Sequence, residues 1–145
     1  MTEPFTEPGV SQKDLKHKRL AHPAPAHANE SFARQVVASC LDLRAHDVVV
    51  LDLHGVTDMT DYFVIASGTS DTHVRSIAQK VIDDMKAAGC PVFHVEGMAQ
   101  GRWVLLDFVD FVVHVFHPAM RDFYQLERLW SDARYLALEP QGAAL

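Results

Sequence analysis

The chain has 145 residues, 48% of them hydrophobic and 22% charged, with a net charge of −6. That fits one domain with a sizeable core. No apolar run reaches the roughly 18 residues that a membrane span needs, and the opening MTEPFTEPGV has acids and prolines where a secretory signal has a basic segment and then an apolar one.

The two cysteines, Cys40 and Cys90, read as reduced thiols of a cytoplasmic protein, with a single disulfide between them as the other reading. Residues 29–145 hold 9 basic and 16 acidic side chains and so carry a net charge of −7. Such a domain is a poor phosphate binder by itself and suits a basic protein partner.

Residues 1–28 are expected to be a disordered tail, because Pro4, Pro8, Pro23 and Pro25 break any helix and apolar periodicity is absent. His17, His22 and His27, and the basic run Lys16–Arg19, read as solvated side chains in preference to a metal or nucleic-acid site. Asn29 or Ser31 can cap a helix reaching about Arg44, with Ala33, Val36, Val37, Cys40 and Leu41 as its apolar stripe. Val48–Leu53 follows as a β-branched strand, a turn begins at His54-Gly55, and Asp61–Ser67 is the second strand.

Gly68-Thr69-Ser70 leads into the clearest helix of the chain. Ser70 is placed as its N-cap, Asp71 favours the positive end of the dipole, and Val74, Ile77, Ala78, Val81, Ile82 and Met85 keep a 3-4 rhythm. Gly89 is placed to end it. Pro91–Val95 reads as a short strand, and 96–101 as a loop.

Trp103–Asp107 and Asp110–His117 then flank Phe108-Val109, the length of a two-residue hairpin loop. That loop sets Asp107 opposite Asp110, Leu105 opposite Val112 and Trp103 opposite His114. Alternation puts Val104, Leu106, Phe111, Val113 and Val115 on one wholly apolar face. The other face collects Trp103, Leu105, Asp107, Asp110, Val112, His114 and Phe116. Its carboxylates and imidazole argue against complete burial, so it is expected to be an accessible docking face. The competing reading has a terminal helix fold back over it as ordinary core. A last helix spans roughly Ala119–Trp130, and residues 133–145 are expected to be loose.

The order α-β-β-α-β-β-β-α gives an α/β (α+β) fold of one domain over residues 29–132: a five-stranded mixed sheet with helices mainly on one face. Chemistry is harder to find. Gly68-Thr69-Ser70 matches no P-loop or dinucleotide fingerprint and is better read as a capped turn. No Asp-x-Asp pair is present to hold Mg²⁺ for a nucleotidyl transferase. His114 and His117 fall on opposite faces of one strand, and His94 with Glu96 makes too few ligands for a metal.

Several stretches carry a family resemblance: TDYFVIASGTS (Thr60–Ser70), HVRSIA (His73–Ala78), Glu96-Gly97, WVLLDFVDFVVHVFHP (Trp103–Pro118) and RDFYQLERLW (Arg121–Trp130). Over roughly residues 30–132 the chain resembles the ribosomal silencing factor, or Iojap, family. The resemblance implies a nucleotidyltransferase-like topology without that active site, no cofactor or metal, and no catalysis. It implies binding to the large ribosomal subunit through its ribosomal protein fourteen, at the face where the small subunit docks. Translation is then repressed by steric blockade when nutrients are short. Organelle members also act in large-subunit assembly.

The partner-binding residues expected from face and resemblance together are Trp103, Leu105, Asp107, His114, Phe116, Arg121 and Tyr124, with Trp103 as the hot spot. No sequence-specific contact with nucleic acid is expected. The same face could pair two copies of the free protein. A nucleotide-binding transferase, or a protein acting in assembly alone, are the alternatives. One departure concerns Val109, where the family usually has Gly. A β-branched residue resists the positive φ of a type I′ turn, so the loop should be longer or of another type.

Overall fold

A computed structural model of the chain describes residues 26–124 and 133–138. Its elements in chain order are α1 (Ala26–Asp42), β1 (His46–Asp52), β2 (Tyr62–Ser67), α2 (Asp71–Ala87), β3 (His94–Glu96), β4 (Trp103–Asp107), β5 (Phe111–Phe116), α3 (Pro118–Tyr124) and β6 (Arg134–Tyr135). Of the tail expected over residues 1–28, the last three residues belong to α1; the rest of it, and the expected helical residues 125–130 with Leu126 and Trp130, lie outside the described residues.

The strands form one mixed sheet of order β3-β4-β5-β2-β1-β6. Strands β2 and β5 run parallel, while β1–β2, β3–β4, β4–β5 and β1–β6 are antiparallel. There are six strands where five were expected. The sixth lies in the segment expected to be loose, with Tyr135 opposite Leu51 and Arg134 opposite Asp52. A two-residue strand is too short to leave a periodic signal, and β1 supplies the backbone partners that hold it.

Helix α2 forms where its rhythm puts it. Ser70 Oγ accepts the His73 backbone N–H at 3.1 Å, Asp71 sits in the first turn and Lys86 in the last. Gly89 takes a φ of +86° just past the end, a conformation in which glycine meets no Cβ penalty. Helix α1 differs at its start. It begins at Ala26, so Asn29 is inside it and not its cap. The Asn29 side chain instead donates to Asp61 Oδ2 at 3.1 Å.

Both helices lie on one sheet face. Ala33, Val36, Val37 and Cys40 of α1, with Val74, Ile77, Ala78, Val81 and Met85 of α2, pack on Val50, Val64, Val104, Leu106, Val113 and Val115. This apolar face of the hairpin is the one that alternation assigned to the core.

The register of that hairpin differs from expectation by two residues. Trp103 pairs with Phe116, Leu105 with His114 and Asp107 with Val112. Phe108 N–H donates to Phe111 O at 3.0 Å, so the loop is Val109-Asp110. Val109 has a φ of +77°, and Asp110 N–H reaches back to Phe108 O at 3.0 Å. These make a γ-turn of the rare positive-φ kind. The strain of a β-branched residue there is held from three sides. Val109 N–H donates to Asp107 Oδ1 at 2.7 Å, Val109 O accepts from Thr60 Oγ1 at 3.3 Å, and Asp110 O accepts from Asp61 N–H at 2.9 Å.

Candidate functional site

The second sheet face carries the expected docking residues. A two-residue shift leaves their side unchanged, because side chains alternate with a period of two. Trp103, His114 and Phe116 form an aromatic tier. The indole stacks on Phe116 with centroids 5.1 Å apart, and Trp103 Nε1 donates to His114 Nδ1 at 3.0 Å. Phe63 of β2 meets the His114 ring edge-on at 4.6 Å.

The tier is covered, which corrects the expectation of an open face. Leu105, Asp107, His114 and Phe116 are fully buried, and Trp103 keeps 8% of its surface. Leu51, Leu53, Met59, Phe63, Ile65 and Ala133 share its cluster, with Val49, Val56 and Met120 packed against it. The segment between β1 and β2 and the short α3 thus supply apolar cover, as expected when so much apolar area would otherwise meet water.

The polar members, taken as arguments for exposure, are accommodated locally. Asp107 holds the Val109 N–H, and His114 has a pKa lowered to about 3 by burial, so the imidazole is neutral. The expected fringe of carboxylates, Asp107 and Asp110, is therefore buried at the hairpin turn and is not solvated.

Arg121 stands half-buried beside this region. It donates to Ser67 Oγ at 2.9 Å, from α3 to the end of β2. Tyr124 ends α3, and its side chain lies outside the described residues. His117 has turned away from His114, and its Nδ1 accepts from Ala119 N–H at 3.3 Å. His94 Nε2 meets Glu96 Oε2.

A second polar cluster went unread in the sequence. His54 Nδ1 lies 2.7 Å from Asp52 Oδ1, and its Nε2 lies 3.3 Å from Asp61 Oδ1. Arg134 binds Asp52 Oδ2 at 2.8 Å. Burial pushes the Asp52 carboxyl up, yet the hydrogen bonds from His54 and Arg134 outweigh it and hold it below the usual carboxylate range. The spacing Asp52-x-His54 was the only local signal, since Asn29, Asp61 and Arg134 come from three other segments.

Thiol chemistry has no foothold at Cys40, whose pKa burial pushes up to about 12. Among the described residues no three His, Cys, Asp or Glu side chains are grouped to hold a metal. Nor is any described helix long and apolar enough to cross a membrane.

Comparison with known proteins bears on what this surface serves. A family model described as "Ribosomal silencing factor during starvation" matches residues 25–144. The chain is 43% identical over 104 residues to a ribosomal silencing factor of Bacillus subtilis, covering 72% of this chain and 88% of that one. It is 33% identical over 114 residues to the mouse protein named "Mitochondrial assembly of ribosomal large subunit protein 1", covering 75% of this chain and 50% of the mouse protein. A crystal structure of a Chromobacterium violaceum protein, 31% identical, superposes with a TM-score of 0.69 over 79% of this chain and 94% of that one.

Proposed function

Because the chain belongs to the ribosomal silencing factor family, we propose that it binds the large ribosomal subunit through ribosomal protein fourteen. It then blocks joining of the small subunit sterically, lowering translation under nutrient limitation. In this reading the protein is a regulator that acts by occupancy and not an enzyme.

The observation that carries the docking assignment is the graded exposure of the aromatic tier. Only Trp103 of the tier reaches the surface, while His114 and Phe116 beneath it are sealed. A large ring held rigidly by stacking and a hydrogen bond loses little freedom on binding, which is what a hot spot needs. Trp103, Arg121 and Tyr124 touch the partner in this reading. Leu105, His114 and Phe116 fix the indole, and Asp107 fixes the turn. The same patch would serve a second copy of the free protein, so dimer formation and subunit binding would compete.

The name of the mouse relative favours a second reading, a role in large-subunit assembly alone. Sedimentation of purified ribosomal subunits separates the two. Added protein should lower the joined-ribosome peak and co-sediment with the large subunit. Co-sedimentation with an unchanged joined peak would leave only the assembly role.

A further inference from the structure

The aromatic tier is closed at one point by chemistry as well as by packing. Trp103 Nε1–H donates to His114 Nδ1 at 3.0 Å. That bond needs the lone pair of Nδ1. A second proton on the ring takes the lone pair, and two N–H groups then face each other. The bond and a charged imidazole are therefore mutually exclusive.

The other ring nitrogen has no compensating contact. Among the described residues His114 Nε2 lacks a hydrogen-bond partner, and the side chain is fully buried. A buried N–H without an acceptor carries the cost of its lost hydration, and a buried charge costs far more. The rings that meet it are Phe63 of β2, Trp103 of β4 and Phe116 of β5. The ionisable groups of the neighbouring elements are engaged elsewhere. On β3 His94 meets Glu96, at the turn Asp107 takes the Val109 N–H, and on α3 Arg121 holds Ser67. Between β1 and β2, His54 lies 3.3 Å from Asp61, and Asp58 is exposed. Asp110 lies at the turn beside Val109, and Tyr135 stands on the edge strand β6.

The backbone of Trp103 is fixed. It pairs with Phe116 across the hairpin, and a Cβ at Gly97 would collide with Trp103 O. The indole is the one ring of the tier that reaches the surface. Rotating it outward would bring water to both nitrogens of His114 without parting a strand.

We propose that Trp103 and His114 form a proton-sensitive latch, in which the indole seals the tier over a neutral imidazole and swings out when His114 takes a second proton. The release is local and precedes unfolding of the sheet. Burial lowers the His114 pKa to about 3 in the closed state, and water restores its ordinary 6.5 in the open one. Each pH unit between those values therefore favours the open state about tenfold. If the seated ring is the docking contact, acid withdraws it. The latch itself belongs to the free protein and does not rest on the docking reading.

The test is hydrogen exchange at the Trp103 indole N–H, followed by NMR on the full chain. The signal is assigned by its loss in Trp103→Phe, and protection is expressed relative to free tryptophan. Protection should fall about 25-fold from pH 7 to pH 5, the ratio set by 6.5 for the open ring and about 3 for the closed one. At both pH values it should be about tenfold or more below that of the Val64 and Val113 amides, which open only with the central strands. His114→Gln still offers the indole an oxygen but does not titrate, so its protection should hardly change with pH.

Indole protection equal to that of the two amides would mean that only global unfolding frees the ring. Unchanged protection between pH 7 and pH 5 would mean that opening takes up no proton. Either result overturns the latch, as does an undiminished fall in His114→Gln. Should that variant not fold, the two wild-type comparisons still decide. A chain that shows the proton-linked exchange yet does not bind large subunits would sink the docking reading alone.

Discussion

Trp103 Nε1 donates to Nδ1 of His114 at 3.0 Å, diagonally across the β4–β5 pair. The bond makes Nδ1 the acceptor, so the single proton of the neutral ring sits on Nε2. Among the described residues Nε2 has no hydrogen-bond partner. The ring is thus orientated by Trp103 and sealed by Phe63 and Phe116.

This geometry predicts a pH dependence of stability. In the unfolded chain His114 takes a proton near its ordinary pKa of 6.5, while in the fold it resists protonation until about 3. Between those values the unfolded state binds more protons, so stability rises with pH and falls as pH drops. The slope should be about 1.4 kcal/mol per pH unit from His114 alone. Denaturant midpoints measured from pH 7 to pH 4 should show it, and His114→Phe should flatten it. An equally steep profile in the variant would mean that another group dominates.

A second acid effect comes from Asp52. Its carboxyl sits below the usual carboxylate range in the fold, so its contribution is present above the unfolded pKa of about 3.9 and is lost as pH falls below it. Asp52→Asn should be less stable than the parent at neutral pH and should lose less stability below about pH 4. Urea titrations at pH 7 and pH 3 would compare them.

The hairpin turn depends on a buried acceptor. Asp107 Oδ1 holds the Val109 N–H at 2.7 Å while Val109 sits at a φ of +77°. Removing that acceptor by Asp107→Ala should destabilise the chain by about 2 kcal/mol or more, whereas Asp107→Asn keeps the oxygen and should be milder. Thermal unfolding of the two variants decides it, and an Ala variant as stable as Asn would contradict the role given to Asp107.

Docking through the indole can be separated from folding. Trp103→Ala empties a largely buried site and should lower stability by about 3 kcal/mol. Trp103→Phe keeps a ring stacked on Phe116 and should fold cooperatively. Capture of large ribosomal subunits by the Phe variant should nonetheless fall about tenfold or more. Wild-type capture by Trp103→Phe would place the contact elsewhere. Concentration-dependent sedimentation of both proteins would further test whether a dimer uses the same patch.

How far the sequence could be read varied with the kind of signal. Helix α2 was legible because its cap, first-turn acid and apolar rhythm agree within one local stretch. The His54 cluster was not, because its members lie between Asn29 and Arg134 and meet only in three dimensions. Of the seven expected docking residues, the five on the hairpin, Trp103, Leu105, Asp107, His114 and Phe116, were placed on one face, and all five proved buried or nearly so. Polarity had argued for exposure, but Asp107 spends its charge on a backbone N–H and His114 stays neutral. Burial therefore leaves His114 Nε2 as the one cost that these local contacts do not offset among the described residues.

What the sequence determined by itself was the side of the sheet on which each hairpin residue stands, and the family text that spans the fold. Alternation is local and does not change when a strand slides by two residues. The tertiary structure decided the slide itself, because the strained turn at Val109 is held by Thr60, Asp61 and Asp107 from outside the loop. It also decided what covers Trp103 and whether residues 134–135 form a strand, since burial and strand pairing depend on segments brought together only when the whole chain has packed.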